Sequence, residues 1–134
     1  MSYLVDTDWV IDFLDGRLPA VQLMGGLFPR GVGISLITYM EAIEGVRGGS
    51  DPMGASRILH DFLDAVTIVG LSVESVERAA DLRIALRHEN RQINHRALDI
   101  LIAVTAIERN LILVTRNIRD YNDLPGLQLY DLTG

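Results

Sequence analysis

Short apolar runs that suit β-strands alternate along this chain with longer segments that suit helices. The strand-like runs are YLVD (3–6), VGISL (32–36), VTIVG (66–70), LILVT (111–115) and LQLYD (127–131). No hairpin signal such as Asn-Gly joins two of them, so each connection is expected to cross over the sheet through a helix. The predicted fold class is therefore α/β, with three α/β/α layers around a mostly parallel, short-stranded central sheet.

The helical segments carry start and stop signals. Helices are predicted over 9–16, 19–28, 36–47, 51–64, 72–89 and 94–110. Thr7 or Asp8 is expected to cap the first of them, and Ser35 the third. Periodicity predicts an apolar side with Leu36, Met40 and Ile43 in the third helix, and with Val73, Val76, Ala80, Leu82, Ile84 and Leu86 in the fifth.

Composition narrows the possible functions. The chain has 134 residues, 49% hydrophobic and 22% charged, which predicts one globular domain over 1–134. It contains no cysteine, which excludes disulfides and thiolate zinc sites, and no lysine, which excludes a P-loop and Schiff-base chemistry. Because it also lacks a signal-peptide pattern and an apolar run of ~20 residues, a cytoplasmic location and no membrane contact are expected.

The net charge restricts binding to nucleic acid. The formal charge of −6 argues against a general phosphate-binding surface, so any contact with nucleic acid must be local. Arginines precede the Asp99 segment and surround Asp120, and possible RNA contacts are Arg96, Arg116 and Arg119. Each of these arginines, taken singly, is about as well explained as a solvated surface residue.

Four acidic residues stand apart from the other acids of the chain. They are Asp6 at the end of YLVD, Glu41 in SLITYME, Asp99 inside ALDILIAVTAI, and Asp120 at the end of TRNIRD. An ionised carboxylate in an apolar segment is costly unless something compensates it, and a cluster of carboxylates is unstable without cations. Oxygen ligands without histidine or cysteine suit Mg²⁺, with Mn²⁺ as a substitute, and such a site can promote hydrolysis of a phosphodiester.

Each acid also has a simpler explanation. Asp6 could be only a helix cap and Asp120 only a turn residue, whereas Asp99 among apolar neighbours requires a partner. Glu44 competes with Glu41 for the same role, because it lies three residues further along the same helix. Asp8 is close enough to Asp6 in sequence to be an auxiliary ligand.

Three segments in order resemble the PIN-domain ribonucleases, in particular the VapC-type toxins of bacterial toxin–antitoxin pairs. The segments are VDTDWVIDFL, SLITYMEAIEGV and ALDILIAVTAIERNLILVTRNIRDYNDLPGLQLYD, and together they extend over nearly the whole chain. The resemblance assigns the first three family acids to Asp6, Glu41 and Asp99. The fourth is open, because many PIN domains carry an Asp at the position of Asn117, whereas toxin-like members often carry it at that of Asp120.

The resemblance implies a Mg²⁺-dependent endoribonuclease that cleaves RNA related to translation, often transfer RNA. Asp6 and Asp99 would bind the metal, Glu41 and Asp120 would orient water, and Thr115 would contact the acids, while the number of metals stays open. It also implies a homodimer and a small VapB-like antitoxin that inhibits the active site. Two alternatives remain: a phosphatase of the haloacid-dehalogenase type that uses Asp6 and Asp8, and a non-catalytic PIN-fold binding module.

Overall fold

The structure is a computed structural model that describes residues 1–89 and 97–133. The strands are β1 (Tyr3–Val5), β2 (Val32–Ser35), β3 (Thr67–Val69), β4 (Ile112–Val114) and β5 (Gln128–Leu129). The helices are α1 (Thr7–Leu14), α2 (Leu18–Leu27), α3 (Leu36–Gly48), α4 (Pro52–Ala65), α5 (Val73–His88), α6 (Ala97–Glu108) and α7 (Ile118–Tyr121), and a 3₁₀ turn, Phe28–Arg30, follows α2. Within the described ranges, no helix is long and apolar enough to span a membrane.

The sheet is parallel throughout, which confirms the predicted fold class. The strand order is β3-β2-β1-β4-β5, and every neighbouring pair is parallel. Alternate residues of β1 point to opposite faces, since Leu4 packs with α5 and α6 while Tyr3 and Val5 pack with α1 and α2. The helices therefore cover both faces and form the outer two of three layers.

The helix caps differ in one place from the prediction. Ser35 caps α3, as expected, and accepts a hydrogen bond from Thr38 N at 3.0 Å. The cap of α1 is neither Thr7 nor Asp8, both of which lie inside the helix. Asp6 has an extended backbone conformation and its side chain accepts from Thr7 N, the first N–H of the helix, so Asp6 is the cap of α1.

The predicted apolar faces of α3 and α5 were right only in part, since Ile43, Leu82 and Leu86 pack in the core as expected. Leu36 and Met40 of α3 are 41% and 40% exposed, and α3 buries Thr38 and Ala42 instead. In α5, Val73, Val76 and Ile84 are exposed, whereas Ser75 and Ala79, which were not predicted, are buried. Helix α5 packs against α6, and small residues such as Ser75 and Ala79 allow the two helices to approach closely.

Candidate active site

The sheet topology creates a crevice at the carboxyl ends of β1 and β4. The strand order reverses between these two neighbours, because β2 and β3 lie on one side of β1 and β4 and β5 on the other. Asp6 directly follows β1, Thr115 directly follows β4, and Asp6 N donates to Val114 O at 2.9 Å. Ligands of open α/β sheets bind at such a point. The pairing of β1 with β4 therefore brings Asp6 and Thr115 to the same edge of the sheet.

Asp6 is a buried carboxylate with two separate sets of partners. It is 5% exposed, Oδ1 accepts from Thr7 N at 2.8 Å, and Oδ2 accepts from Thr115 Oγ1 at 2.7 Å. Burial raises the pKa of Asp6 above its ordinary value, the hydrogen bonds from Thr115 and Thr7 lower it, and the charge of Asp8 raises it further. The net direction is upward, so the site disfavours a lone negative charge at Asp6.

Asp99 brings the four predicted acids into one electrostatic neighbourhood. It lies in the first turn of α6 and is partly buried. Burial makes the largest contribution to raising its pKa, and the charges of Asp6, Asp120 and Glu41 raise it as well. Asp6, Glu41 and Asp120 are therefore all close enough to Asp99 for their charges to act on it. Their catalytic roles remain predictions from the sequence.

Tyr121 is a member of this site that the sequence argument missed. Its side chain is 1% exposed, and its hydroxyl donates to Asp99 Oδ1 at 3.2 Å and also stabilises the charged form of Asp6. Burial raises the pKa of Tyr121, and the charges of Asp6 and Asp99 add to this, so the phenol stays protonated and acts as a donor. The sequence held one sign of this role, which is that Tyr121 directly follows the candidate acid Asp120. An aromatic residue in that position can turn into the core beside the acids.

Glu41 is the last member of a chain of hydrogen bonds that runs through three hydroxyl groups, one each on β2, α3 and α1. Thr7 Oγ1 donates to Glu41 Oε1 at 2.7 Å. A hydroxyl has a single hydrogen, so Thr38 Oγ1, which lies 3.0 Å from Thr7 Oγ1, must donate to Thr7. Ser35 Oγ in turn donates to Thr38 Oγ1 at 3.3 Å. This row fixes the carboxylate of Glu41, whereas its rival Glu44 is exposed.

The remaining candidates lie on the loop after β4 and around α1. Asn117 Nδ2 donates to Asp8 Oδ2 at 3.2 Å, and Asn117 N donates to Thr115 Oγ1 at 3.0 Å. Asp120 N donates to Asn117 O at 2.9 Å, and the Asp120 carboxylate acts on Asp99 and Tyr121. Asp120 therefore reaches the acidic neighbourhood more directly than Asn117, whose amide is engaged with Asp8.

The predicted RNA-contacting arginines have different surroundings. Arg116 forms an ion pair with Asp12 and lies over the Trp9 ring, 3.8 Å from its centroid. Arg119 is exposed on α7, and Arg96 lies outside the residues that the structure describes. Asp12 thus pairs with Arg116, and it also lies 3.5 Å from Arg17 Nε.

The donor set suits a hard divalent cation. Asp6 and Asp99 are both carboxylates whose burial and negative neighbours raise the pKa, which is the condition that a bound cation would relieve. Carboxylate oxygens are also the ligands that hard divalent cations prefer. The residues present therefore fit a divalent metal.

A parallel sheet with a carboxylate-lined crevice at its switch point defines the class, an α/β protein with an acidic site suited to a divalent cation. Comparison with known proteins identifies the family. The PIN domain matches residues 3–126, so the chain belongs to the PIN domain family.

Relatives in sequence and in structure match this chain over nearly its whole length. The chain is 24% identical to the tRNA(fMet)-specific endonuclease VapC of Shigella flexneri over 98% of both chains. It is 26% identical to a chain in the crystal structure of VapBC2 from Rickettsia felis bound to a DNA fragment from their promoter, with a TM-score of 0.84 over 97% of this chain and 98% of the other. A toxin-antitoxin complex from Klebsiella pneumoniae contains a chain that is 31% identical, with a TM-score of 0.73 over 98% and 100% of the two chains.

These findings confirm the family that the three sequence segments indicated. They support neither alternative that the sequence left open, the haloacid-dehalogenase-like phosphatase or the non-catalytic binding module. Asp8, which the phosphatase would need as its acid, accepts a hydrogen bond from Asn117 at 3.2 Å.

Proposed function

We propose that this chain is a Mg²⁺-dependent endoribonuclease of the VapC type, the toxin of a toxin–antitoxin pair that acts in the cytoplasm. The observation that carries the proposal is the acidic site at the switch point of the sheet, where Asp6 follows β1, Tyr121 donates to Asp99, and the charges of Asp6, Glu41 and Asp120 raise the pKa of Asp99. Ribonuclease names among the relatives support the same activity.

Asp6 and Asp99 would hold the cation, for which Mn²⁺ is a plausible substitute. When bound, the cation would supply a Lewis acid that offsets charge on the phosphodiester in the transition state. Glu41, fixed by Thr7, would accept a hydrogen bond from the attacking water and orient it together with Asp120. Thr115 and Tyr121 would act as donors that keep the carboxylates of Asp6 and Asp99 in place.

The substrate and partner follow from the relatives. The Shigella relative is named for action on tRNA(fMet), the Rickettsia structure is VapBC2 bound to a DNA fragment from their promoter, and the Klebsiella structure is a toxin–antitoxin complex. For this chain we propose an RNA related to translation as substrate, a VapB-like antitoxin as inhibitor, and a homodimer as the assembly. Arg119, exposed on the helix that carries Asp120, is a proposed contact for RNA phosphates, as is Arg96.

The decisive experiment is cleavage of RNA by the purified protein with added Mg²⁺, or with chelator. We expect Asp99→Asn to reduce the cleavage rate by at least about 100-fold, since it removes charge from the centre of the acidic neighbourhood. Glu41→Gln should cost about 10–100-fold, while Glu44→Gln, an exposed residue of the same helix, serves as its matched control. Full activity of Asp99→Asn, or equal losses for the two Gln variants, would contradict the proposed site.

A non-catalytic module would behave differently in the same preparation. A cation that binds only the folded state raises its stability, so the melting temperature of an enzyme should rise with added Mg²⁺ or Mn²⁺. Absence of both a melting shift and RNA cleavage would favour the binding module. Release of phosphate from a generic phosphomonoester, lost on Asp6→Asn, would favour the phosphatase.

A further inference from the structure

Three consecutive residues of the loop after β4 each bind an acidic residue near the start of the chain. Thr115 Oγ1 donates to Asp6, Arg116 forms an ion pair with Asp12, and Asn117 Nδ2 donates to Asp8. Asp6 is the cap of α1, Asp8 lies in its first turn, and Asp12 lies one turn further along. These three contacts, here called the α1 clamp, join two segments that are more than a hundred residues apart in sequence.

Arg116 is the member of the α1 clamp that is held on two sides. Its guanidinium lies 3.8 Å from the centroid of the Trp9 ring and is paired with Asp12 at its edge. The Arg116 side chain is 36% exposed and that of Asp12 is 22% exposed, so the pair is partly shielded from water. A stacked and paired guanidinium is restrained more strongly than an isolated surface ion pair, because both its face and its edge have partners.

The loop held by the α1 clamp leads directly into a short helix of the candidate site. Helix α7 spans only Ile118–Tyr121, and it carries Asp120 and Tyr121. A helix of this length has no stability of its own, so its orientation depends on the anchors at its ends. Tyr121 is buried and anchors the carboxyl end, which leaves the α1 clamp to anchor the amino end.

We propose that Arg116 is a positioning residue that acts through Asp12 and Trp9, and that it is not an RNA contact. By holding the β4–α7 loop on α1, it keeps Asp120 and Tyr121 in register with Asp6 and Asp99. The activity part of this inference rests on the proposed ribonuclease function, whereas the cation-binding part requires only the acidic site. It replaces the RNA-contact role that the sequence suggested for Arg116.

Isothermal titration calorimetry of Mn²⁺ binding tests the inference. The two roles of Arg116 predict opposite changes in Mn²⁺ affinity when it is replaced by alanine. If Arg116 only contributed a nearby positive charge, Arg116→Ala would tighten Mn²⁺ binding, because the repulsion between two cations is removed. Loss of the α1 clamp should instead weaken Mn²⁺ binding by about tenfold, as for other residues that orient metal ligands. Tighter binding by Arg116→Ala would overturn the proposal. Arg57→Ala, an exposed arginine of α4, is the matched control.

Asp12→Asn completes the test, since it leaves the Arg116–Trp9 stack in place. Both single variants should weaken Mn²⁺ binding, and the double variant Arg116→Ala/Asp12→Asn should be no weaker than the worse single variant. Fully additive losses would show that the two residues act independently, and would overturn the proposal. Should Arg116→Ala fail to fold, as judged by circular dichroism, Arg116→Lys must still weaken Mn²⁺ binding, because it keeps the positive charge but loses the planar guanidinium that stacks on Trp9.

Cleavage kinetics separate positioning from RNA contact. A positioning role predicts that Arg116→Ala and Asp12→Asn both lower kcat with little change in KM. A contact to an RNA phosphate predicts that Arg116→Ala raises KM and reduces the salt dependence of binding by about one charge, while Asp12→Asn frees Arg116 and tightens RNA binding. The second pattern would overturn the proposal. Failure of the wild-type protein to cleave any RNA would count against the proposed function, and the Mn²⁺ affinities would still decide the role of Arg116.

Discussion

A carboxylate can serve a helix and a binding site at once when its two oxygens have different partners. Asp6 Oδ1 accepts from Thr7 N and caps α1, while Oδ2 accepts from Thr115 across the crevice. The cap and the functional role of Asp6 are therefore compatible, although the sequence argument treated them as alternatives. The two hydrogen bonds restrain the Asp6 side chain before any ligand binds. This restraint lowers the entropic cost of ligand binding.

Removal of one hydroxyl group tests how far Tyr121 supports the acids. A hydrogen bond to a charged group contributes about 1.5–3 kcal/mol, and Asp99 is only partly buried, so we expect Tyr121→Phe to lower the free energy of unfolding by about 1.5 kcal/mol. Its Mn²⁺ affinity should also fall, because Asp6 and Asp99 are harder to keep ionised without the donor. Urea unfolding in chelator and calorimetric titration with Mn²⁺ measure the two effects.

Tyr3→Phe is the matched control for this experiment. The Tyr3 hydroxyl accepts a hydrogen bond from the exposed Arg30, and Tyr3 packs on the face of the sheet that α1 and α2 cover. We expect a smaller loss of stability than for Tyr121→Phe and an unchanged Mn²⁺ affinity. If both variants changed Mn²⁺ affinity equally, Tyr121 would have no special role.

Helices α3 and α5 both have a serine cap, but only the cap of α3 is connected to the candidate site. Variants of the two caps can therefore separate an effect on stability from an effect on activity. Ser35 caps α3 through Thr38 N, and Ser72 caps α5 through Ser75 N, both at 3.0 Å. Replacing either serine by alanine should lower the free energy of unfolding by about 1 kcal/mol, measured by urea unfolding. Only Ser35→Ala should also lower RNA cleavage, because only Ser35 begins the row of hydroxyls that ends at Glu41. Equal activity of the two variants would exclude a role for that row.

The elements were predictable to different degrees for physical reasons. The strands were visible because β1 and β4 are short apolar runs, and their parallel order followed from the missing hairpin turns. The buried faces of α3 and α5 were only partly visible, because small residues such as Ala42 and Ala79 are buried in these helices while larger apolar residues such as Met40 and Val73 are exposed. Helix α7 has only four residues, little more than one helical turn, so no periodic pattern could reveal it.

Some residues of the candidate site were also predictable from the sequence and others were not. Asp99 was predictable because a carboxylate is conspicuous in an apolar segment. Tyr121 and Thr38 were not, since a buried aromatic or hydroxyl residue looks like ordinary core until its hydrogen-bond partner is known. The pairing of Arg116 with Asp12 also depends on the tertiary fold, because it joins residues 104 positions apart.

The acidic site should leave a signature in the pH dependence of the stability of the whole molecule. Asp6 and Asp99 have raised pKa values in the folded state, whereas an unfolded Asp titrates near about 3.9. Stability from such groups is fully present below the unfolded value and is lost as the pH rises through the folded value. In chelator, we therefore expect Asp99→Asn to be more stable than wild type, by an amount that grows as the pH rises above about 4.

Urea unfolding of wild type and Asp99→Asn over a pH series measures this difference. A difference that stays constant with pH would mean that Asp99 does not titrate in the expected direction. Saturating Mn²⁺ should reverse the order, because a ligand present at 100 times its Kd adds about 2.7 kcal/mol to the folded state that binds it. Wild type should gain this stability and Asp99→Asn should not.

The strand order also determines when the protein can become active during its synthesis. The central strand β1 is made early, but its neighbour β4, which lies beside it in the sheet, comes only after β3, α5 and α6. The Asp6–Thr115 hydrogen bond joins residues 109 positions apart, and Asp120 comes later still. A nascent chain therefore holds the first acid of the site without the last ones until most of it has left the ribosome. A chain built in this order cannot assemble the acidic site until the segment that carries Thr115 and Asp120 has emerged.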